Sequence, residues 1–293
     1  MLGFPQAERI HLGARKLWLM MLSGFRIKFL FAFGFLMEAV NIIIGVASYY
    51  FLTQVIKAGT SPVAGYGTDI VSYIIVGMAL SPMLSSSMLG LYTSLVSNYY
   101  GRGLEKMMMT PTSIYTLLAS GILDGYIGTI VSSLIYLLVG VLVFKVDLGG
   151  QNLGMALTVF MLGIAATWGL GMLLTSVFFY TDSGKSGTTP YAAFFSAFAR
   201  TFSGASFPIE VVPVSLRYVA LFLPQTHALR SIRLLLAGLP QTGSRQIITG
   251  DIAYLVIFAL VTIPLGTVIM RRGLTKVMRE GYSPRTSIAL SMW

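Results

Sequence analysis

Polar and apolar positions in this chain do not alternate every few residues but separate into long blocks. Six apolar runs stand out: Phe29 to Thr53, Ile70 to Val96, Ile114 to Phe144, Leu153 to Tyr180, Tyr191 to Phe207 and Ile252 to Met270. A bilayer core of about 30 Å needs about 20 residues of helix at a rise of about 1.5 Å per residue. The pattern therefore predicts six membrane-crossing helices. The first and third runs exceed that length, so they are expected to tilt or to project into water at one end.

Two segments depart from the block pattern. The opening "AERIHLGARKLWLMMLSGFRIKF" interleaves Arg9, Arg15, Lys16, Arg26 and Lys28 with Ile10, Leu12, Leu17, Trp18, Met21 and Phe25, as expected of an amphipathic helix lying along the headgroups. Between the last two runs, "SGASFPIEVVPVSLRYVALFLPQTHALRSIRLLLAGLP" is apolar but broken by Pro208, Pro213, Pro224 and Pro240. Irregular backbone at membrane depth is tolerated only where protein buries it or where it lines a cavity, so short re-entrant helices are expected there and not a seventh span. The predicted architecture is an all-α integral membrane protein with a single transmembrane domain over residues 1–293. It comprises an interfacial helix (1–28), a six-span bundle (29–270) with a re-entrant outer region before the last span, and a cytoplasmic tail (271–293).

Composition agrees with the pattern: 55% of residues are hydrophobic, 10% are charged and the mean hydropathy is +0.79, outside the range of soluble globular domains. With no cysteine, neither a disulfide nor a thiolate metal site is possible. The two histidines, His11 and His227, lie far apart in sequence, and no metal centre is expected. The first apolar run is too long for the core of a secretory signal, so the N-terminus is expected to remain on the mature protein.

A net charge of +10 suggests nucleic acid in a soluble protein; in a membrane protein it reports topology. If the N-terminus is inside, the cytoplasmic segments hold five Lys and Arg before the first span. Two more (Arg102, Lys106) lie between the second and third, one (Lys185) between the fourth and fifth, and five beyond Met270. The short outer loops hold Lys57 and Lys145. Thirteen against two places both termini in the cytoplasm, with Arg217, Arg230, Arg233 and Arg245 of the broken region running against the trend. Location in the cytoplasmic membrane, with no nucleic-acid partner, follows as the expectation.

Candidate chemistry is sparse. Gly184-Lys185-Ser186 in "TDSGKSGTT" imitates the end of a phosphate-binding loop, but the position that needs the first glycine is Phe179, at the end of an apolar run. A cytoplasmic turn is the better reading. No paired carboxylates, Ser-His-Asp set or zinc motif appears, so the chain is not expected to be an enzyme by itself. Three ionisable residues fall within predicted spans: Glu38, Asp124 and Arg200. Each costs roughly 2.5–3.5 kcal/mol at a helix centre on the insertion scale, so each should face the bundle, a partner or water. Asp124 sits among Gly121, Gly125 and Gly128, a small-residue face on which close helix packing is expected. Aromatic pairs at span ends, such as Tyr49-Tyr50 and Tyr99-Tyr100, fit an interfacial belt.

One polar interruption is denser than topology requires. "GRGLEKMMMTP" brings Arg102, Glu105 and Lys106 together between the second and third runs and closes on Thr110-Pro111. Charges suited to a rim flank Leu104, Met107 and Met108, an adaptable apolar knob, and the proline suits the start of the next helix. Together with its continuation "TSIYTLLASGIL" it resembles the cytoplasmic loop of ABC-2 type transporter permeases. In that family a Gly-Thr-Leu-Glu stretch, two apolar residues and Thr-Pro precede the third span. The broken region resembles the same family's segment before the last span: a Ser-Gly, a Phe-Pro, a Leu-Pro, a polar-aromatic-Ala turn and Leu-Arg. Here these are Ser203-Gly204, Phe207-Pro208, Leu223-Pro224, Thr226-His227-Ala228 and Leu229-Arg230. The departures are Gly103 where Thr is usual, Met107 and Met108 where Leu is common, and His227 where Tyr is frequent.

The resemblance covers nearly the whole chain and implies a permease subunit of an ATP-binding cassette exporter. The chain itself would bind no cofactor; ATP and Mg would be held by two separate cytoplasmic ATPase subunits. A second permease copy or paralogue and membrane lipid would complete the assembly. Arg102, Gly103, Leu104, Glu105, Lys106, Met107, Met108, Thr110 and Pro111 would form the coupling helix that docks on the ATPase, with Glu105 as its anchor. Phe207, Pro208, Glu210, Pro213, Pro224, His227 and Arg230 would belong to the outer gate. The expected cargo is an amphipathic, lipid-like compound or drug. The alternative is an ATP-independent secondary transporter or channel, for which the inverted repeats that such proteins show are not evident.

Overall fold

The computed structural model describes residues 37, 40–46, 70–100, 114–145, 152–180, 194, 197–199, 201–207, 209, 213–236 and 242–280. Among the described residues six helices have both ends defined: α1 (Ile70–Tyr100), α2 (Ile114–Leu142), α3 (Leu153–Tyr180), α4 (Val214–Phe222), α5 (Pro224–Leu236) and α6 (Thr242–Glu280). Among the described residues all regular structure is helical, and α1, α2, α3 and α6 are each long and apolar enough to cross a membrane. The second, third and fourth predicted runs match α1 to α3 closely, because uninterrupted apolar sequence leaves the backbone no partner in lipid except itself.

The last run is longer than its hydropathy suggested. The expected boundary at Ile252 gives way to a helix that starts at Thr242 and runs 39 residues to Glu280. Asp251 is thus carried inside the helix and does not precede it. Most of the first and fifth predicted spans, and all of the expected interfacial helix over 1–28, lie outside the described residues. Residues 40–46 are helical, and Ile42 and Val46, one turn apart, pack with Ile75 of α1 and Ile135, Tyr136 and Val139 of α2. Fragments of the fifth run are also helical, with Phe194 stacked on Phe198 at a ring separation of 5.8 Å and Phe198 tilted against Phe202 at 4.8 Å.

Helix directions follow from the contacts. A side chain at Gly171 of α3 would strike the Met88 backbone of α1, and one at Gly163 would meet Leu84, so α1 and α3 run the same way. Gly169 faces Thr262 and Gly266 faces Met172, so α6 is parallel to α3 as well. Gly140 lies against Ile75, and Tyr126 bonds Ser87, making α2 antiparallel to α1. Close approach occurs at glycines of α3 and α6 and at Gly140 of α2. Of the expected face of Gly121, Gly125 and Gly128, a Cβ on Gly125 would sit 3.6 Å from the Ser86 hydroxyl of α1, ordinary van der Waals distance.

Several hydroxyls inside this bundle are consumed locally. Ser87, Thr167, Thr175, Ser176, Thr262 and Thr267 each donate to the carbonyl four residues earlier at 2.7–2.8 Å, leaving compact, nearly apolar surfaces for packing. Outward faces are apolar instead. Ile130, Leu134 and Leu138 form an exposed stripe on α2, and Ile257, Leu260, Val261, Leu265 and Val268 are exposed on α6. Surfaces of that size and composition need lipid or another apolar surface as their neighbour. The chain is a multi-pass membrane protein.

Candidate functional site: the polar joints of the short helix pair

Prolines set up the local geometry. Pro213 stands in extended conformation ahead of α4, and its carbonyl accepts from Leu216 and Arg217 N–H at 2.9 and 3.0 Å. The residue before a proline is pushed out of the helical region, and Leu223, ahead of Pro224, is extended (φ −79°, ψ 121°). Pro224 then occupies the first position of α5, where its missing N–H is no loss. Leu223 closes both ends of the break: its N–H donates to the Ala220 carbonyl and its own carbonyl accepts from Thr226, each at 3.1 Å. With 9 and 13 residues, α4 and α5 rise about 14 and 20 Å, too little for either to span a bilayer.

The pair enters and leaves the bundle at one end. At its turn, Phe222 meets Phe258 edge-on at 5.8 Å, the Tyr254 hydroxyl donates to the Phe222 carbonyl at 2.9 Å, and the Gln225 amide lies 3.6 Å from Met88 Sδ. Phe258 and Met88 stand near the middle of the apolar stretches of α6 and α1. From there α5 runs back with Ala228 on Gly163, Ser231 on Asp251 and Arg233 on Tyr73, towards the end where α1, α3 and α6 begin. Short re-entrant helices were expected here, and the contacts show the pair doubling back on itself.

Two polar joints hold α5. In the first, Asp251 of α6, 1% exposed, is a hub: Arg230 donates through Nε to Oδ2 at 3.0 Å and through Nη2 to Oδ1, Ser231 Oγ donates to Oδ2 at 2.8 Å, and His227 Nδ1 lies 2.6 Å from Oδ1. His227 also donates from Nε2 to the Leu221 carbonyl at 2.8 Å and stacks on Tyr254 at 4.1 Å. One imidazole thus ties α4, α5 and α6 together. A carboxylate buried seven residues past Ser244 needs such partners, because desolvating it alone costs several kcal/mol.

Arg233, 3% exposed, makes the second joint. It donates to the Gly204 and Ala205 carbonyls, both at 2.7 Å, while its guanidinium carbon lies 3.6 Å above the Tyr73 ring. The Tyr73 hydroxyl donates to the Gly204 carbonyl at 3.2 Å. Gly204 has φ +72°, which a glycine accepts readily. Gly77 leaves the space: any Cβ there would collide with the Ala205 carbonyl and Arg233 Nη2. At the turn, Gln225 is fully buried with its Oε1 unpartnered. These groups can fix helices, orient dipoles and offer buried polar contacts.

Of the predicted site residues, Pro213, Pro224, His227 and Arg230 are brought together in this helix pair, and Phe207 lies half-buried in the turn that Arg233 braces. Pro208, Glu210, Glu38, Arg200 and the whole coupling set from Arg102 to Pro111 lie outside the described residues. Asp124 is on α2, but its side chain is also outside the description. Asp251, Arg233, Tyr73 and Gln225 were not singled out from sequence. A signal for Asp251 existed: it is the one carboxylate between Glu210 and Glu280, in a stretch that holds Arg217, Arg230, Arg233, Arg245 and His227.

A search of curated proteins finds no match. The family profile described as ABC-2 family transporter protein matches residues 44–268, a range that includes α1 to α5, both joints and most of α6. On that match the chain belongs to the ABC-2 family of transporter proteins.

Proposed function

We propose that this chain is the permease subunit of an ATP-binding cassette exporter that moves an amphipathic or lipid-like compound outward across the cytoplasmic membrane. Two separate cytoplasmic ATPase subunits would supply the energy, and a second permease copy or paralogue would complete the pathway. The family match over 44–268 carries this reading. The fold supports it: Tyr100 and Ile114, which bracket the segment proposed for ATPase docking, end α1 and begin α2 at the end of the bundle opposite the short helix pair. Docking energy would enter at one end and the outer gate would stand at the other. ATP and Mg belong to the partner subunits in this scheme, and the permease does mechanical work only.

The experiment is purification of the tagged chain from its native membranes in mild detergent, with partner identification and ATP hydrolysis measured on the same eluate. A stoichiometric P-loop subunit with vanadate-sensitive hydrolysis is expected, and Glu105→Lys should release that subunit or abolish its stimulation. If the chain emerges alone without hydrolysis, the exporter reading is wrong and an ATP-independent transporter takes its place.

A further inference from the structure

We propose that His227 is held as an imidazolium, which makes the joint of α4, α5 and α6 a proton-binding site. The site needs neither the ATPase nor a direction of transport.

Two ring nitrogens face two acceptors. Nδ1 lies 2.6 Å from Asp251 Oδ1, and Nε2 lies 2.8 Å from the Leu221 carbonyl oxygen. A neutral imidazole has one N–H and one lone pair, whereas the imidazolium has two N–H groups. In the neutral form one nitrogen would turn its lone pair on an oxygen within bonding distance, inside a joint where an unmade bond is expensive. The Leu221 carbonyl cannot donate. Asp251 could donate only as the neutral acid, and its other bonds are those of a carboxylate: Arg230 donates to both oxygens and Ser231 to Oδ2. The second proton therefore belongs to the ring.

The surroundings suit a cation. The Tyr254 ring lies 4.1 Å from that of His227, within the range at which an aromatic face attracts positive charge. From α6 the ring thus meets Asp251 and Tyr254, while Arg245 is exposed nearer the helix start. On α4, Arg217 reaches the Ile209 carbonyl and Tyr218 is exposed. The sequences of α1 and α3 hold no charged residue, and Tyr73 of α1 faces Arg233. Arg230, from α5 itself, shares the carboxylate and opposes a second positive charge; the charge-assisted bonds to Asp251 and Leu221 and the tyrosine face offset it. Loss of the proton would cost the joint one of the two ring bonds. The N–H on the carboxylate is the stronger, so deprotonation should bare Nε2 and release the Leu221 carbonyl, the ring's link to α4.

Nitrogen NMR of the imidazole ring tests this directly, since the chain has two histidines, His11 and His227. The full chain, carrying a tag without histidine and whatever partners it brings, is labelled with nitrogen-15 histidine, purified and placed in lipid bilayers. Signals that vanish in an otherwise identical His227→Gln sample belong to His227; should that variant fail to assemble, His227→Asn replaces it. At neutral pH both ring nitrogens of His227 should be of the protonated type. A bare, pyridine-type nitrogen on His227 under those conditions would overturn the proposal. Asp251→Asn should convert the ring to a neutral form at the same pH, and Asp251→Glu should keep it charged; a ring that stays charged in Asp251→Asn would show that the carboxylate does not hold the proton. As the pH is raised on the parent, Nε2 should become the bare nitrogen. Loss of the Nδ1 proton instead would show that Asp251 is not the ring's anchor and would overturn the site as assigned.

Discussion

Asp251 shows how much one side chain can carry. Truncation to Ala would leave Arg230 and His227 facing a void inside the bundle, and breaking a buried pair from one side costs about 3–5 kcal/mol. Asp251→Ala should therefore lower the thermal midpoint and the membrane level of the detergent-purified complex. The double change Asp251→Ala with Arg230→Met should recover part of that loss, because it no longer leaves a guanidinium in the bundle without the carboxylate. Thermal shift on the single and double variants measures the coupling; equal losses in both would mean that the carboxylate is not Arg230's principal partner. The glycine-enabled joint makes a second case. Gly77→Ala places a methyl where the Ala205 carbonyl and Arg233 already stand, and overpacking of this kind costs typically about 1–3 kcal/mol. A Gly77→Ala protein as stable as the parent would show that the Gly204–Ala205 turn is free to shift.

At the scale of elements, proline placement and burial explain why two short helices stand where a seventh span is absent. Pro213 and Pro224 were legible at once, since a proline turns the residue before it away from helix and suits the start of the next one. That the pair re-enters was expected too; which helices α5 would lie against was not, because proline stops a helix without naming its neighbours. His227 illustrates the difference. In sequence it was a departure from a frequent tyrosine; in three dimensions it bonds Asp251 and the Leu221 carbonyl and stacks on Tyr254. The glycine face expected on α2 came from spacing alone, and spacing cannot tell which neighbour a helix meets; of that face, Gly125 lies at ordinary contact distance from Ser86 of α1. Tighter packing is found at Gly140 of α2 and at Gly163, Gly169, Gly171 and Gly266 of α3 and α6.

For the molecule as a whole, the distribution of lysine and arginine makes a prediction about sidedness. Cysteines introduced at Lys145, after α2, and at Thr275, near the end of α6, are both at exposed positions. Impermeant maleimide should label Lys145→Cys on intact cells and Thr275→Cys only after permeabilisation. Reversed labelling would invert the topology, and with it the side on which the short helix pair stands. The parallel course of α1, α3 and α6 suits the division of labour proposed above, in which a push delivered beside Tyr100 and Ile114 would travel along stiff helices to the opposite end.

What the sequence determined by itself was everything that depends on the medium. A helix in lipid must satisfy its own backbone, so long apolar runs were enough to locate α1, α2 and α3, and charge asymmetry was enough to assign an expected topology. Two joined motifs were enough to suggest the family that the match over 44–268 then showed. Only the tertiary structure decided which polar residues meet. Asp251 and His227 are 24 residues apart, and Tyr73 and Gly204 are 131 apart; pairing at such separations depends on helix direction and depth, neither of which hydropathy encodes. Asp251 could not be told from an ordinary helix-start carboxylate until α6 was seen to begin ahead of it and α5 to return alongside, because a charge is safe in a bundle only when distant parts of the chain bring its partners to it.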